Sequence, residues 1–184
     1  MNAPNKPMTV DAFIAWAMQQ ERGRFELLRG EIVPMAPERT GHMRVKARAF
    51  KALEDAVRTA GVACHVLPNG ATVRIDEHTA FEPDALVYCG SQLDDDTIVI
   101  PAPVIVVEVL SPSSTSIDTG DKVTGYFTVP SIRHYLIADG RARSLVHHHR
   151  LDDGTIRSQT VTEGTVRLEP PGLALPLAAF FPPA

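Results

Sequence analysis

No apolar run in this sequence approaches the roughly 20 residues that a membrane span requires, so no membrane partner is expected. The first ten residues lack the basic start and apolar core of a secretory signal. Cysteine is scarce. Cys64 and Cys89 have no metal-ligand spacing and suggest reduced thiols rather than a disulfide framework, which makes cytoplasm the expected location. Positive charge is not in excess: 18 Lys and Arg against 22 Asp and Glu give a net charge of −4, which does not advertise a nucleic-acid partner. A local basic face remains compatible with that balance. There is no internal repeat and no low-complexity tract. What is present, 184 residues with 44% hydrophobic and 22% charged side chains, has the composition of one soluble globular domain over residues 1–184.

The most informative stretch is residues 104–126, VIVVEVLSPSSTSIDTGDKVTGY. It begins as a β-branched run that reads as a strand buried on both faces, interrupted by Glu108. A carboxylate there is costly unless a cation or hydrogen-bond donors neutralise it. Pro112 ends the strand, and Ser113, Ser114, Thr115 and Ser116 are candidate N-caps of a helix that carries Asp118, Asp121 and Lys122. An ammonium thus comes within reach of the buried acid. Taken alone, the stretch describes a buried ion pair at a strand end.

Around it, residues 1–8 read as a loose arm and residues 10–20 as a short amphipathic helix capped by Thr9. Two strands, 24–28 and 31–35, flank a tight turn at Arg29-Gly30. Residues 42–60 form a longer helix with Met43, Ala47, Phe50, Leu53 and Val57 toward the core. On another stripe of it lie Arg44, Arg48, Lys51 and Arg58. Such a stripe is commonly a solvated face, and it is also the best phosphate-contacting candidate in the chain. Strands follow at 63–67 and 71–75, divided by Pro68-Asn69-Gly70 as in a hairpin, and another spans 81–88. A helix over 116–129 connects strands 104–110 and 133–139, which a crossover makes parallel. Strands 144–150 and 156–161 form a hairpin, and the proline-rich residues 167–184 wrap the surface with little regular structure. The fold class is therefore α/β, a mixed sheet flanked by helices, with an added N-terminal helix and hairpin.

If the strands bearing Asp84 and Glu108 are antiparallel neighbours, both carboxylates reach the same sheet end. Proton sharing or a divalent cation relieves their repulsion. Mg²⁺ suits hard oxygen ligands, and the Val109 carbonyl is a further candidate. Asp84 also reads as a turn acid after Pro83, and Lys122 as a solvated helix lysine. His147-His148-His149 alternates across a strand, so its three rings cannot converge on a metal, and an exposed strand is expected. Asp94-Asp95-Asp96 lacks the glycine and distant acid of a calcium loop.

The pieces FELLRGEIV (25–33), VLPNGATVRI (66–75), EPDALVY (82–88), VVEVLSPSS (106–114), DKVTGY (121–126) and HYLIAD (134–139), with the loop-helix segment at His42, occur in a specific order and spacing. Together they resemble the Uma-type putative restriction endonuclease family, a former domain of unknown function within the PD-(D/E)XK nuclease superfamily. The resemblance covers about residues 8–181. It implies a restriction-endonuclease-like fold, with Asp84 and Glu108 as metal ligands, Lys122 as a migrated catalytic lysine, and Glu26 and His42 as further site members. The usual lysine position, two after Glu108, is Leu110. His134 stands where an acid is common, and Met43 where a glutamine is frequent.

The resulting expectation is a Mg²⁺-dependent endonuclease, Mn²⁺ serving as an alternative ion. Asp84, Glu108 and Val109 would hold metal, and Arg44, Arg48 and Lys51 would contact DNA phosphates. A homodimer follows if two strands are cut by two-fold-related sites. The rivals are an inactive nuclease-fold interaction module and a hydrolase of smaller phosphodiesters.

Overall fold

The computed structural model describes residues 6–111 and 116–181. The first residues of the expected arm and the cap candidates Ser113, Ser114 and Thr115 lie outside the described residues, as does the side chain of Ser116. In chain order the elements are α1 (Val10–Ala17), β1 (Phe25–Leu28), β2 (Glu31–Pro34), α2 (Thr40–Ala60), β3 (Cys64–Pro68), β4 (Val73–Arg74), β5 (Ala80–Phe81) and β6 (Ala85–Cys89). There follow β7 (Pro103–Val109), α3 (Ser116–Tyr126), β8 (His134–Asp139), β9 (Ser144–Arg150), β10 (Ile156–Val161), β11 (Thr165–Leu168), β12 (Leu173–Pro176) and α4 (Leu177–Phe180).

The main sheet has six strands in the order β10-β9-β8-β7-β6-β3. Only β7 and β8, joined through α3, are parallel within it. This is the mixed sheet with flanking helices that the sequence implies. Alternate residues of its central strands divide between two cores. Ala85, Val87, Ile105, Val107 and Leu136 face α2, while Leu86, Val106, Tyr135 and Ile137 face Tyr126 of α3. A second sheet, β2-β1-β5-β4, carries the N-terminal hairpin. Its turn has Arg29 and Gly30 both at positive φ, 52° and 83°, the requirement of a two-residue turn that continues the twist of both strands.

The strand expected over residues 81–88 is two strands in two sheets. Pro83 has no N–H to give a ladder, so pairing breaks at Glu82-Pro83-Asp84. Phe81 ends in the small sheet and Ala85 begins in the large one. The expected hairpin about Asn69 is corrected for a related reason: β3 pairs with β6, and β4 pairs with β5, so the two never meet.

Three further expectations change. On α2 the buried face is Val45, Lys46, Ala49, Ala52, Leu53 and Ala56, whereas Met43 is exposed. Its alanines allow close approach to the sheet, and Phe50 and Val57 fill the margins. Residues 165–180 form a hairpin and a short helix whose Val166, Leu168, Leu173, Leu175 and Phe180 are buried against α2. The prolines there occupy the turn and the strand end, leaving alternate apolar positions free to pack. Finally, Cys64 and Cys89 form a disulfide. Antiparallel pairing sets them directly opposite on β3 and β6, and the thiol argument for a reducing compartment fails for this pair. No described helix is long and apolar enough to cross a membrane.

The histidine run is also not a simple exposed strand. His147 is buried beside His134 of β8. His134 Nε2 must donate to the Pro170 carbonyl at 2.8 Å, so its Nδ1 accepts from His147 Nε2 at 2.9 Å, and Gln159 donates to His147 Nδ1 at 3.3 Å. This chain requires both rings neutral. Burial, reinforced by neighbouring imidazoles, pushes His134 down to about 3 and His147 to about 4. An unfolded histidine takes up its proton near pH 6.5. Stability from these rings is therefore present above about pH 6.5 and is lost as pH falls through the window below it. Urea unfolding at pH 7.5 and pH 5 should show this loss in the wild type and a smaller one in His134→Phe/His147→Leu. Equal losses in the two proteins would remove the pair as its source.

Candidate active site

The break at Pro83 places Asp84 where the two sheets and the start of α2 meet. Because β6 and β7 are antiparallel neighbours, with Ala85 opposite Val107, Asp84 lies beside the end of β7 that bears Glu108 and Val109. Asp84 is buried, and its Oδ2 accepts the Val109 N–H at 2.7 Å. From the small sheet, β1 brings Glu26, which accepts the Glu82 N–H at 2.9 Å and so ties the hairpin to the crossing segment. From α3 comes Lys122. Its Nζ lies 2.8 Å from Glu26 Oε1 and 2.8 Å from Glu108 Oε1, and it stands over the Phe81 ring. His42, in the first turns of α2, contacts the Val109 carbonyl through Nε2 at 2.8 Å. A carbonyl only accepts, so Nε2 carries the hydrogen.

All five sequence-derived site residues, Asp84, Glu108, Lys122, Glu26 and His42, line one cavity of about 390 Å³ together with Val109. Arg44, Arg48 and Lys51 do not line it. They are exposed on the outer side of α2, with Lys51 paired to Asp55 at 3.3 Å. Arg39, at the start of the same helix, does reach the cavity.

Electrostatics set the protonation of the site. Burial pushes Glu108 up to about 7, with Asp84 and Glu26 adding to the shift and the Lys122 ammonium opposing it. For Lys122, burial alone favours the neutral amine, but the two glutamates more than reverse this and raise its pKa. It is a firmly held cation. Tyr126, raised by burial and nearby acids, keeps its proton and donates to Glu108 Oε1 at 2.8 Å.

Lys46 is a site residue that the sequence pattern does not single out. This lysine is 5% exposed and lies 2.7 Å from Asp84 Oδ1 and 2.6 Å from Glu38 Oε1. Glu38 also pairs with Arg24 at 2.9 Å, which holds Glu82 in turn. A signal for it exists: His42, Lys46, Ala49, Leu53 and Ala56 recur at helical spacing, and a lysine on an otherwise apolar stripe requires a buried acid. The competing stripe centred on Met43 and Ala47 conceals it.

Among the described residues, no group of three or more His, Cys, Asp or Glu side chains is spaced to hold a metal ion. The donors that are present, the carboxylates of Glu26, Asp84 and Glu108, are hard oxygens lining one cavity. Such donors suit a hard divalent cation, whose shell water and substrate phosphate would complete.

Lys46→Met should leave Asp84 as a buried charge without its ammonium. Breaking one partner out of a buried pair costs about 3–5 kcal/mol. Urea unfolding should show that loss, and Lys46→Met/Asp84→Asn should lose less than the two single variants summed. Strict additivity would mean that the pair is not coupled.

Comparison with known proteins agrees with this architecture. A solved "putative nuclease belonging to DUF820" from Anabaena variabilis ATCC 29413 superposes with a TM-score of 0.76 over 95% of this chain and 98% of that one, at 14% identity. Such identity speaks for the fold alone. Two uncharacterized proteins of Synechocystis sp., slr1290 and sll1609, are 25% and 24% identical over 154 and 137 residues. These alignments cover 83% and 73% of this chain, and 80% and 77% of the relatives. The model of the Uma2 family, described as "Putative restriction endonuclease", matches residues 10–178, and the chain belongs to that family.

Proposed function

We propose that this protein is a nuclease of the PD-(D/E)XK type that hydrolyses DNA phosphodiester bonds with Mg²⁺, Mn²⁺ substituting. The observation that carries the reading is the convergence of Asp84, Glu108 and Lys122 on one cavity from three separate elements. Asp84 and Glu108 would hold the ion, with the Val109 carbonyl adjacent and turned toward His42. When bound, the ion supplies Lewis acidity and a water of lowered pKa.

The chain's own groups have distinct tasks. Asp84 is fixed by the Val109 N–H and by Lys46, so its carboxylate does not swing. Lys122 offers positive charge to the phosphorane as water attacks phosphorus and the 3′ oxygen leaves. Glu26 anchors that ammonium, so Lys122 keeps its place even while Glu108 engages a cation. Exposed Arg44, Arg48 and Lys51 would contact phosphates along the strand, and a two-fold dimer would pair two such sites. The inactive-module reading is favoured by one observation: both Asp84 oxygens already have protein partners.

Single-turnover cleavage at saturating Mg²⁺ tests the assignment. A local charge aimed at the transition state is worth about 100–1,000-fold in rate. Lys122→Ala should fall by that factor while Mn²⁺ affinity in calorimetry stays close to wild type. Asp84→Asn should lose the metal affinity itself. Wild-type cleavage by Lys122→Ala would exclude it from catalysis, and absence of cleavage by the wild type on any DNA would favour the inactive module.

The stripe makes a separate prediction. DNA affinity should fall as salt rises, and replacing Arg44 and Arg48 with alanine should make the slope shallower by about one unit per lost phosphate contact. An unchanged slope would make the stripe a solvated face.

A further inference from the structure

We propose that the cavity takes a single unstacked nucleotide, so that the substrate strand carries unpaired bases at the cutting site rather than lying in an intact duplex. This rests on the nuclease reading above and names its substrate class.

Two observations carry it. The first is the depth of the acids. The Asp84 side chain is 4% exposed, and those of Glu26 and Glu108 are 12% and 13% exposed. A phosphodiester reaches them only by entering a cleft of about 390 Å³. In a duplex the sugars beside each phosphate are tied to stacked bases, and the rod bends stiffly, with a persistence length of roughly 150 base pairs. A strand without its complement bends freely and can enter.

The second observation is the apolar part of the lining. Besides the acids, the cleft is lined by the contiguous stretch Val33, Pro34, Met35, Ala36 and Pro37. Phosphate and sugar gain little from such a surface, whereas the face of a base is the apolar part of a nucleotide. Val33 is 39% exposed on β2, the edge strand of the small sheet, so this wall is open to an arriving base. The cations Arg39 and Lys122 lie at the same cavity for the attached phosphates. One cavity thus offers an apolar surface to a base and charged groups to the phosphodiester attached to it. An unpaired base can leave its stack at low cost to occupy such a surface, whereas a paired one must first be unstacked and unpaired.

The test is fluorescence anisotropy with one labelled oligonucleotide sequence, presented as a single strand, as a blunt duplex and as a duplex with a central unpaired loop. Ca²⁺ replaces Mg²⁺ to prevent cleavage. Single strand and loop should bind about 10-fold or more tightly than duplex, the scale of one base contact. Val33→Ser/Met35→Ser should lose that preference while duplex binding, carried by phosphates, is retained; Met35→Leu should keep the preference. The wild-type comparison stands even if the double variant does not fold. Duplex binding equal to or tighter than single-strand binding would overturn this proposal alone, as would an intact preference in folded Val33→Ser/Met35→Ser. Failure to bind any of the three forms would overturn it together with the nuclease reading.

Discussion

Carboxylates taken out of water need cations, and the positions of Asp84, Glu26 and Glu108 make that requirement organise the site. Asp84 is met by Lys46, which Glu38 anchors from the loop just before the same helix. Glu26 and Glu108 must share Lys122. One ammonium between two acids leaves a deficit of positive charge, and Glu108, raised to about 7 chiefly by burial, is pushed further up by Asp84 and Glu26. A hard divalent ion relieves such a deficit more fully than a proton does, because it serves several oxygens at once. The same arrangement also keeps the site cohesive in the absence of metal. Each acid has a protein partner, and buried charges are tolerated on that condition.

These partners come from separate parts of the chain because one segment changes sheets. Residues 80–89 are divided between β5, which pairs with β1 of the small sheet, and β6, which pairs with β7 of the large one. Pro83 interrupts pairing, and the N–H groups around it are taken up across the gap: Glu82 donates to Glu26, and Asp84 donates to the Val107 carbonyl. Backbone groups freed by the break thus position two of the acids. The proline is both a limit on the sheet and a cause of the cavity.

Much of this architecture is legible in the amino-acid sequence. The β-branched run with a single acid specifies β7 as a central strand, and its spacing to Asp84 places both acids at one end. The parallel connection through α3 follows from the length of the intervening segment. The features that are not legible depend on tertiary contact. Lys46 is hidden because apolar periodicity on α2 fits two phases, and the choice between them rests on which residues can approach the sheet closely. Alanines prevail over Met43 and Phe50 because small side chains admit the closer packing. The Cys64–Cys89 bond is invisible in linear spacing, since only the β3–β6 register makes the two residues opposite. The C-terminal hairpin is concealed by its prolines, which mark turns and strand ends, while Val166, Leu168, Leu173 and Leu175 alternate beneath them into the core.

Lys122 links the site to the fold. Leu110, two residues after Glu108, packs against the core beneath α3. The ammonium beside Glu26 and Glu108 comes from the helix, and a helix side chain is only as well placed as the helix itself. Gly125 sets that placement: a Cβ there would stand 2.7 Å from Cε2 of Phe81, a buried ring with no room to yield. Phe81 in turn lies beneath Lys122 and against Tyr126, whose hydroxyl holds Glu108. A glycine three residues from the lysine, an aromatic ring at the end of the small sheet and a tyrosine on the acid together fix the distance between Lys122 and Glu108. A lysine on the strand would have its position fixed by the ladder alone. On α3 it depends on packing between the two sheets, so disturbance of the N-terminal hairpin is transmitted to the cation through Phe81.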